Sequence, residues 1–338
     1  MGNNEIVSSL RSTNWQGSIP IVVNLAQTSL SSPSMPPPLH KLVSRQTYLH
    51  VGLTDVIHRL SKFAVATPSD CTWFEDEDTG AALRWHLFAG VLFDLKRKDS
   101  GSSSSSGNNT KLLPWKIRLH FTSYPINQIL QLDKGVDTVK HFYFNSLKQA
   151  MFLEHGTAKV SNSSLTKHAN MQLWDAILRC KYDLYQEINR DLQAKNPSTD
   201  ESSSSQGDTN SGFLHHIPVR LLVDGKPPIQ RLCRTFNRVN GKSEEDSKED
   251  ESQEKPITLG NLLLDWLPHL FQNHLPDDSL TSTTDSSSGG SSENYKNSRS
   301  CCCLVQGIVP PLSCTILELW QYLCHPDHFL YIVVLSTS

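Results

Sequence analysis

The sequence lacks long hydrophobic runs along its 338 residues. No apolar run approaches the roughly 18 residues that a transmembrane helix needs. Residues 1–20 lack the basic start and apolar stretch of a secretory signal, and Ile6 stands where a myristoylation signal has serine or threonine. We therefore expect a cytoplasmic protein that neither spans a membrane nor carries a lipid anchor.

A large excess of charge of either sign is also missing. The formal net charge is −3, and the acidic run of residues 243–254 alone contributes −6. The rest of the chain therefore carries only +3, without the basic stripe of a nucleic-acid-binding protein. An excess this small does not argue for binding to anionic lipids. We expect no nucleic-acid partner, and we expect membranes to be reached through protein partners.

The eight cysteines lack the spacing of a metal site. No pair shows the CxxC spacing that holds a zinc ion from a tight turn, and cytosolic thiols are mostly reduced. We therefore expect no cofactor and no metal. One alternative is a zinc or thiol-dependent module built on Cys301–Cys303, Cys324, His325 and His328, because thiolates and imidazoles are zinc ligands.

Serine, in contrast, is abundant and unevenly distributed. Four tracts contain 24 of the 43 serines, and they cover residues 99–110, 196–212, 240–256 and 277–300. These tracts hold almost no large apolar side chains, so burial cannot offset an ordering entropy of roughly 1–2 kcal/mol per residue. We expect them to be disordered insertions and linkers, which leaves 268 residues to fold.

The first block predicts a β-grasp, or ubiquitin-like, fold. Val56, Leu60 and Phe63 recur at helical spacing, which predicts a helix from Asp55 with Thr54 as its N-cap. Short β-branched or alternating runs around that helix predict strands. The runs are Ile19–Leu25, Tyr48–Val51, Trp73–Phe74, Leu83–Leu87, Val91–Leu95 and Lys116–Phe121.

The middle block predicts a small helical bundle. Residues 136–154 and 170–193 contain no proline, and in the second range apolar residues recur on one helical face. That face contains Leu173, Trp174, Ile177, Leu178, Leu184, Tyr185 and Ile188.

The last block repeats the first block's order of elements, which is two strands, a helix and then further strands. Thr258 is predicted to cap a helix over Leu259–Leu267, and Ser313–Tyr322 is a short mixed segment. The predicted strands are Ile217–Val223, Ile229–Phe236, Leu304–Val309 and Phe329–Leu335. The last strand is continuously apolar, which is typical of a central strand. The fold class is therefore α+β, with two ubiquitin-like domains flanking a helix-rich domain and serine-rich insertions in the loops.

Shifts in composition predict the domain boundaries. Residues 1–14 form an N-terminal segment, for which a helix is one interpretation. The other units are the first ubiquitin-like domain at 15–130, the helix-rich domain at 131–195, a linker at 196–212 and the second ubiquitin-like domain at 213–338.

Short motifs in a fixed order give the sequence a family resemblance. In the first block they are Trp15-x-Gly17-x-Ile19-Pro20, Trp73-Phe74, Leu83-Arg84-Trp85-His86, Gly90-x-Leu92-Phe93-Asp94-Leu95, Pro114-Trp115-Lys116-Ile117, His120-Phe121 and Tyr124-Pro125. The helical block adds His141-Phe142, Ser146-Leu147-Lys148-Gln149-Ala150 and Gln172-Leu173-Trp174, and the last block adds Ile217-Pro218-x-Arg220, Ile229-Gln230 and Thr258-Leu259-Gly260-x-Leu262-Leu263. Individually weak, together these motifs resemble the autophagy protein 5 family.

The resemblance implies a function. Members of the family accept a ubiquitin-like modifier, autophagy protein 12, through an isopeptide bond, and the motif position places the acceptor at Lys148. The conjugate binds the N-terminal helix of autophagy protein 16 and recruits autophagy protein 3. This assembly acts like an E3: it promotes transfer of autophagy protein 8 to phosphatidylethanolamine at the preautophagosomal structure and phagophore membrane. The resemblance implies a scaffold without catalytic activity of its own.

The residues themselves support part of this reading. With Val139, Phe142, Ala150 and Leu153 on the buried side of the helix, Lys148 lies toward solvent. Spacing alone does not separate Lys148 from Lys140 or Lys159. The chain ends in serine, without the glycine-terminated tail of a transferable modifier, so we expect a target and not a tag. An adaptor of the same fold that is never conjugated remains an alternative.

One departure from the family pattern concerns Phe88, because the family usually has proline two residues before the glycine at Gly90. A lone aromatic residue beside a strand is more often part of the core than of a contact surface. We expect the autophagy protein 16 helix to lie in an apolar groove, which the sequence does not assign to residues.

Overall fold

The computed structural model describes residues 3–66, 71–97, 113–155, 166–194, 216–223, 225–238, 254–271 and 301–336. The serine-rich tracts at 99–110, 196–212 and 277–300 lie outside these ranges, and their disorder stays a prediction. The tract at 240–256 lies outside them except at its end. There Glu254–Pro256 forms a short strand, so the predicted disorder is wrong for these three residues.

The first sheet has four strands in the order β2-β1-β4-β3. Strand β1 is parallel to β4, and the other pairings are antiparallel, which is a ubiquitin-like arrangement. The elements are α1 (Asn3–Gln16), β1 (Ser18–Leu25), β2 (Leu39–Ser44), α2 (Leu49–Gly52), α3 (Thr54–Leu60), β3 (Trp73–Asp76), α4 (Ala89–Lys96) and β4 (Trp115–His120). The predictions for β1, β3 and β4 are confirmed.

Three strand predictions in this block are wrong. The second strand is Leu39–Ser44, whereas Tyr48–Val51 begins the helical turn α2. Residues 83 and 84 have no regular structure, and residues 85–87 form a turn that ends in a bend. Val91–Leu95 lies in helix α4, where the residues from Ala89 to Asp94 are all buried. A helix buried on every side shows no amphipathic period, so an apolar run of this length cannot be told from a strand.

Helix α3 begins one residue earlier than predicted, without a threonine cap. Its N-cap is Leu53. The Thr54 hydroxyl instead donates to the carbonyls of His50 at 2.9 Å and Val51 at 3.0 Å, and so ties α3 to α2. Val56 is buried as predicted, but Phe63 is 45% exposed in a short 3-10 turn after the helix.

The helical region contains α5 (Val136–His155), α6 (Lys167–Arg179) and α7 (Tyr182–Ala194). The predicted second helix is therefore two helices. The break is at Cys180, which has a φ of 52° in the left-handed region, a conformation that sequence reading assigns to glycine or asparagine. Most of the predicted apolar face is buried or half-buried, but Leu178 is 41% exposed.

The second sheet repeats the first in the order β6-β5-β10-β9, with β5 parallel to β10. The elements are β5 (His216–Val223), β6 (Ile229–Arg234), β7 (Phe236–Arg238), β8 (Glu254–Pro256), α8 (Leu259–Trp266), α9 (Pro268–Phe271), β9 (Cys301–Leu304), α10 (Ile316–Leu323) and β10 (Leu330–Ser336). Strands β7 and β8 form a separate pair. The Thr258 cap is confirmed, and the final strand lies inside its sheet as predicted.

Two predictions in the last block need correction. The strand predicted over Leu304–Val309 is β9, which lies earlier and is built from the cysteine triplet. After it the chain turns tightly, with Gly307 at a φ of 80°. The mixed segment contains helix α10, which Thr315 and Glu318 begin with a capping box. That box is a readable sequence signal that our interpretation missed.

The interior is divided into two clusters. One cluster joins the first sheet, the helical region and one face of the second sheet, which contributes Leu222, Tyr331, Val333 and Leu335. The other cluster lies between the opposite face of the second sheet and helices α8 and α10. The second sheet is therefore a middle layer, and α5 packs against its strand β5.

Candidate conjugation site

Helix α5 presents one buried and one exposed face. The buried face contains Val139, Tyr143, Leu147, Ala150 and Met151, and the exposed face contains His141, Asn145, Lys148, Gln149 and Phe152. Phe142 and Leu153, which we predicted on the buried side, are half-buried. The amine of Lys148 is thus on the solvent side of a long helix, as an acceptor needs to be.

The other two candidate lysines have different surroundings. Lys140 is half-buried and lines a groove between α5 and α6 together with Met171 and Trp174. Lys159 lies outside the described residues. Within the helical region, Lys148 is therefore the more accessible of the two candidates that the structure describes.

The residues on either side of Lys148 in the chain are fastened to the second sheet. The Ser146 hydroxyl donates to Asp327 Oδ2 at 2.7 Å and accepts a hydrogen bond from Arg220 Nη1 at 2.7 Å. Arg220 Nη2 donates to Gln149 Oε1 at 3.4 Å. Ser146 and Gln149 are three residues apart, so their side chains are neighbours on the helix. The motif around Lys148 thus contains two residues that bond its turn to the second ubiquitin-like domain.

Arg220 is itself held from several sides. Its Nη1 donates to Tyr331 Oη at 2.5 Å, and its Nε donates to Gln230 Oε1 at 2.9 Å. The guanidinium lies 3.7 Å from the ring centre of Phe329. The hydroxyl of Tyr331 donates to Asp327 Oδ2 at 2.9 Å, and burial, followed by the carboxylate of Asp327, raises the pKa of Tyr331. That hydroxyl therefore stays protonated and remains a donor.

The end of α5 makes a second buried polar contact with the second ubiquitin-like domain. His328 Nδ1 lies 3.2 Å from Glu154 Oε1, and His328 Nε2 lies 2.7 Å from Asn189 Oδ1. Trp320 Nε1 donates to the His328 carbonyl at 2.8 Å. Both ring nitrogens of His328 therefore lie within hydrogen-bond distance of side-chain oxygen atoms. Helices α5 and α7 are thereby joined to the segment before β10.

The two ubiquitin-like domains also meet directly, through Arg45. Arg45 Nη2 lies 2.5 Å from Asp94 Oδ2. A Cβ on Gly90 would lie 2.9 Å from the Arg45 carbonyl oxygen, and a Cβ on Gly307 would lie 3.0 Å from Arg45 Cζ. Arg97 Nη1 donates to the Gly307 carbonyl at 3.0 Å. Sequence reading missed this contact, since no local pattern links residues more than 200 positions apart.

Cys303, Cys324 and the two histidines of the alternative metal or thiol site lie in different surroundings. Cys303 lies in the core of the second domain, where burial raises its pKa to about 12. Cys324 accepts a hydrogen bond from Arg11 Nη2 at 3.2 Å, and burial raises its pKa too. A thiol with a raised pKa is a poor nucleophile, since nucleophilic attack needs the thiolate.

The histidines of that alternative site have neighbours other than the cysteines, and His325 Nε2 is buried without a hydrogen-bond partner among the described residues. His325 Nδ1 lies 3.2 Å from Gln306 Nε2, and His328 is held by Glu154 and Asn189. Among the residues that the structure describes, no group of three or more His, Cys, Asp or Glu side chains is placed to hold a metal ion. The described residues therefore give this alternative no support.

Phe88, the departure from the family pattern, is fully buried. Its ring stacks on Tyr48 with centres 4.5 Å apart and lies 5.0 Å from the ring of His325. The aromatic side chain therefore belongs to the core, as we expected, and fills the junction between the two ubiquitin-like domains.

Family models match the three parts of the fold in order. Residues 14–121 match the model described as "Autophagy protein ATG5, UblA domain", residues 136–195 match its alpha-helical bundle region, and residues 216–334 match its UblB domain. The chain belongs to the autophagy protein 5 family. The resemblance read from the sequence motifs is confirmed, and so is the fold class of two ubiquitin-like domains flanking a helical bundle.

Individual relatives in this family are similar over much of the chain. The protein named Autophagy protein 5 from Phaeosphaeria nodorum is 26% identical over 354 residues, covering 99% of each chain. The protein of the same name from Oryza sativa subsp. japonica is 29% identical over 293 residues, which cover 79% of this chain and 72% of the relative.

A solved structure shares the fold. The crystal structure of Kluyveromyces marxianus Atg5 matches with a TM-score of 0.63 at 22% identity, covering 96% of this chain and 98% of that one. Membership of the family gives the chain a role in autophagy. In the described part of the chain, no helix is both long and apolar enough to cross a bilayer.

Proposed function

We propose that the protein is an autophagy scaffold that is conjugated through Lys148 to the ubiquitin-like modifier autophagy protein 12. The observation that supports this most is the setting of Lys148. Its side chain is exposed, while the neighbouring Ser146 and Gln149 are bonded to Arg220 in the second sheet. The amine is accessible, and the helical turn that carries it is fixed.

The conjugation is an acyl transfer to that amine. The Lys148 ammonium loses a proton, and the neutral nitrogen attacks the thioester carbonyl that joins the modifier's C-terminal glycine to its conjugating enzyme. As the C–N isopeptide bond replaces the C–S bond, the nitrogen loses a second proton, both protons pass to solvent, and the enzyme's sulfur leaves as a thiolate. The scaffold supplies the nucleophile and its position, whereas the conjugating enzyme supplies the activated acyl group.

The conjugate then works by bringing partners together. Autophagy protein 16 contributes an amphipathic N-terminal helix, and the conjugate recruits autophagy protein 3, which transfers autophagy protein 8 to phosphatidylethanolamine. In this proposal the protein is not catalytic by itself and acts like an E3 as part of the conjugate. It is cytoplasmic and reaches the phagophore through its partners.

The Lys148→Arg variant tests the acceptor. In lysate of the native cell we expect the wild type and the control Lys140→Arg to show a band heavier than 37.9 kDa by one small ubiquitin-like protein. We expect Lys148→Arg to lose this band while its circular dichroism stays unchanged. Persistence of the band in Lys148→Arg would show that the acceptor is wrong. A wild type without a heavier band would favour the adaptor that is never conjugated.

A further inference from the structure

The Arg220 guanidinium lies between the second sheet and the turn of α5 that carries Lys148. We infer that Arg220 is a positioning residue for the conjugation reaction, an inference that rests on the proposed role of Lys148. Arg220 bonds Ser146 and Gln149, which lie on either side of the acceptor in the chain. It therefore holds the acceptor's turn while the amine itself points to solvent.

The group that holds the turn is rigid. Arg220 and Asp327 form an ion pair with a 3.2 Å Nη1–Oδ2 distance, and their side chains are 11% and 0% exposed. The planar guanidinium lies over the Phe329 ring, and its Nε is bonded to Gln230 on the neighbouring strand. The Arg220 guanidinium is thus held by strand β6, by strand β10 and by the Phe329 ring, which leaves it little freedom to reorient. Its fixed position in turn fixes Ser146 and Gln149.

The rate of acyl transfer depends on where the Lys148 amine lies. The acceptor nitrogen has to reach within about 3–3.5 Å of the thioester carbonyl, and a displacement of about 1 Å can lower the rate roughly a hundredfold. A conjugating enzyme that contacts any part of the scaffold outside α5 presents its thioester relative to that part. The orientation of α5 against the second sheet then decides whether Lys148 reaches the carbonyl.

Two variants test whether the bonds of Arg220 to helix α5 position Lys148. Arg220→Lys keeps a positive charge beside Asp327, but an ammonium cannot reproduce the planar fork that bonds several partners at once. The double variant Ser146→Ala/Gln149→Ala removes the contacts on α5 and leaves Arg220 its bonds to Asp327 and Tyr331. Arg231→Lys is the matched control, because it makes the same substitution at an exposed arginine of strand β6 whose guanidinium lies over the Trp266 ring of α8.

The experiment is single-turnover conjugation of the full chain with autophagy protein 12, preloaded as a thioester on its conjugating enzyme. We expect Arg220→Lys and the Ser146→Ala/Gln149→Ala variant to lower the rate constant at saturating enzyme by about tenfold or more, with the half-saturating concentration unchanged. Arg231→Lys should stay within about twofold of the wild type. Hydrogen exchange should become faster in residues 146–150 of both slowed variants.

Failure of this inference is distinct from failure of the acceptor assignment. If both test variants react at the wild-type rate while Lys148→Arg does not react, Arg220 does not position the acceptor and Lys148 stands. If Lys148→Arg reacts normally, the acceptor itself is wrong. A rise in the half-saturating concentration at an unchanged maximal rate would assign these residues to enzyme binding and overturn the positioning role. Should Arg220→Lys not fold, the Ser146→Ala/Gln149→Ala variant decides.

Discussion

The two sheets have the same strand order but differ in how many of their faces are buried. In the first sheet, strand β4 turns Ile117 and Leu119 inward, and its outward-facing Lys116 is exposed. In the second sheet, the central strand β10 is buried on both sides: Ile332 faces its own domain's core, whereas Val333 faces the helical region and the first domain. One topology therefore serves as an outer layer in one place and as a middle layer in another.

This difference bears on function because the middle layer carries Arg220. Strand β5 turns Val219 and Leu221 toward its own core and Arg220 toward α5. Had the second sheet kept a solvated outer face like the first, nothing in that sheet would reach the turn of Lys148. Burial of the second face thus links helix α5, which carries Lys148, to a ubiquitin-like domain.

The largest expected effect comes from placing a charge on the face of strand β10 that is turned away from its own domain's core, compared with the equivalent face of strand β4. In Val333→Asp a carboxylate replaces a side chain that is 1% exposed, which we expect to cost about 4 kcal/mol or more. Lys116→Asp, at an outward and exposed position of the first sheet, should change the free energy of unfolding by no more than about 0.5 kcal/mol. Urea denaturation measures both. Similar losses in the two variants would contradict a one-sided first sheet and a two-sided second sheet.

The pH dependence of the unfolding free energy tests how dry the interior of the first domain is. His50 is buried behind the first sheet and bonded to the Thr72 carbonyl at 3.1 Å, and burial lowers its pKa to about 4. The unfolded chain binds the proton near pH 6.5, so stability present above that pH is lost as the pH falls toward 4. We expect this histidine to contribute up to about 3 kcal/mol of that loss.

His50→Gln should therefore flatten the fall of the unfolding free energy between pH 6.5 and pH 4. His40→Gln, at an exposed position on strand β2, is the control and should keep the wild-type slope. An unchanged slope in His50→Gln would mean that the interior of the first domain admits water around this ring.

The smallest expected effect concerns helix starts. In the second domain α8 and α10 begin with capping boxes at Thr258 and Thr315. In the first domain, α4 begins without a side-chain cap at Phe88, and backbone bonds from Ala89 and Gly90 tie its start to the loop that contains Arg45. Thr315→Ala should cost about 1 kcal/mol in thermal unfolding, and Thr315→Ser should restore most of it. A loss of the same size in Thr315→Ser would show that the hydroxyl is not what matters.

Elements could be predicted from the sequence where their burial leaves a recognisable pattern of apolar and polar residues. Lys116–Phe121 was predicted because one face is wet and its pattern alternates, and Phe329–Leu335 because a strand buried on both faces is continuously apolar. The prediction of a strand at Val91–Leu95 was wrong because a helix buried on all sides has no polar face. The end of α6 was not predicted because Cys180 takes a left-handed conformation that glycine usually adopts.

The candidate site was only partly readable from the sequence. The exposure of Lys148 followed from helical spacing, but its choice over Lys140 came from the family motif. The partners of Arg220 could not be predicted, since Ser146 and Tyr331 lie 74 and 111 positions away from it. Such contacts are set by how the two domains pack and not by local pattern.

The most direct measurement of the central claim is the position of the isopeptide bond in the heavier band from native cells. Trypsin digestion and mass spectrometry should give a branched peptide in which the modifier's C-terminal glycine is joined to Lys148 Nζ, with no cleavage after that lysine. A branch at Lys140 or at any other lysine, with Lys148 unbranched throughout the heavier band, would contradict the account.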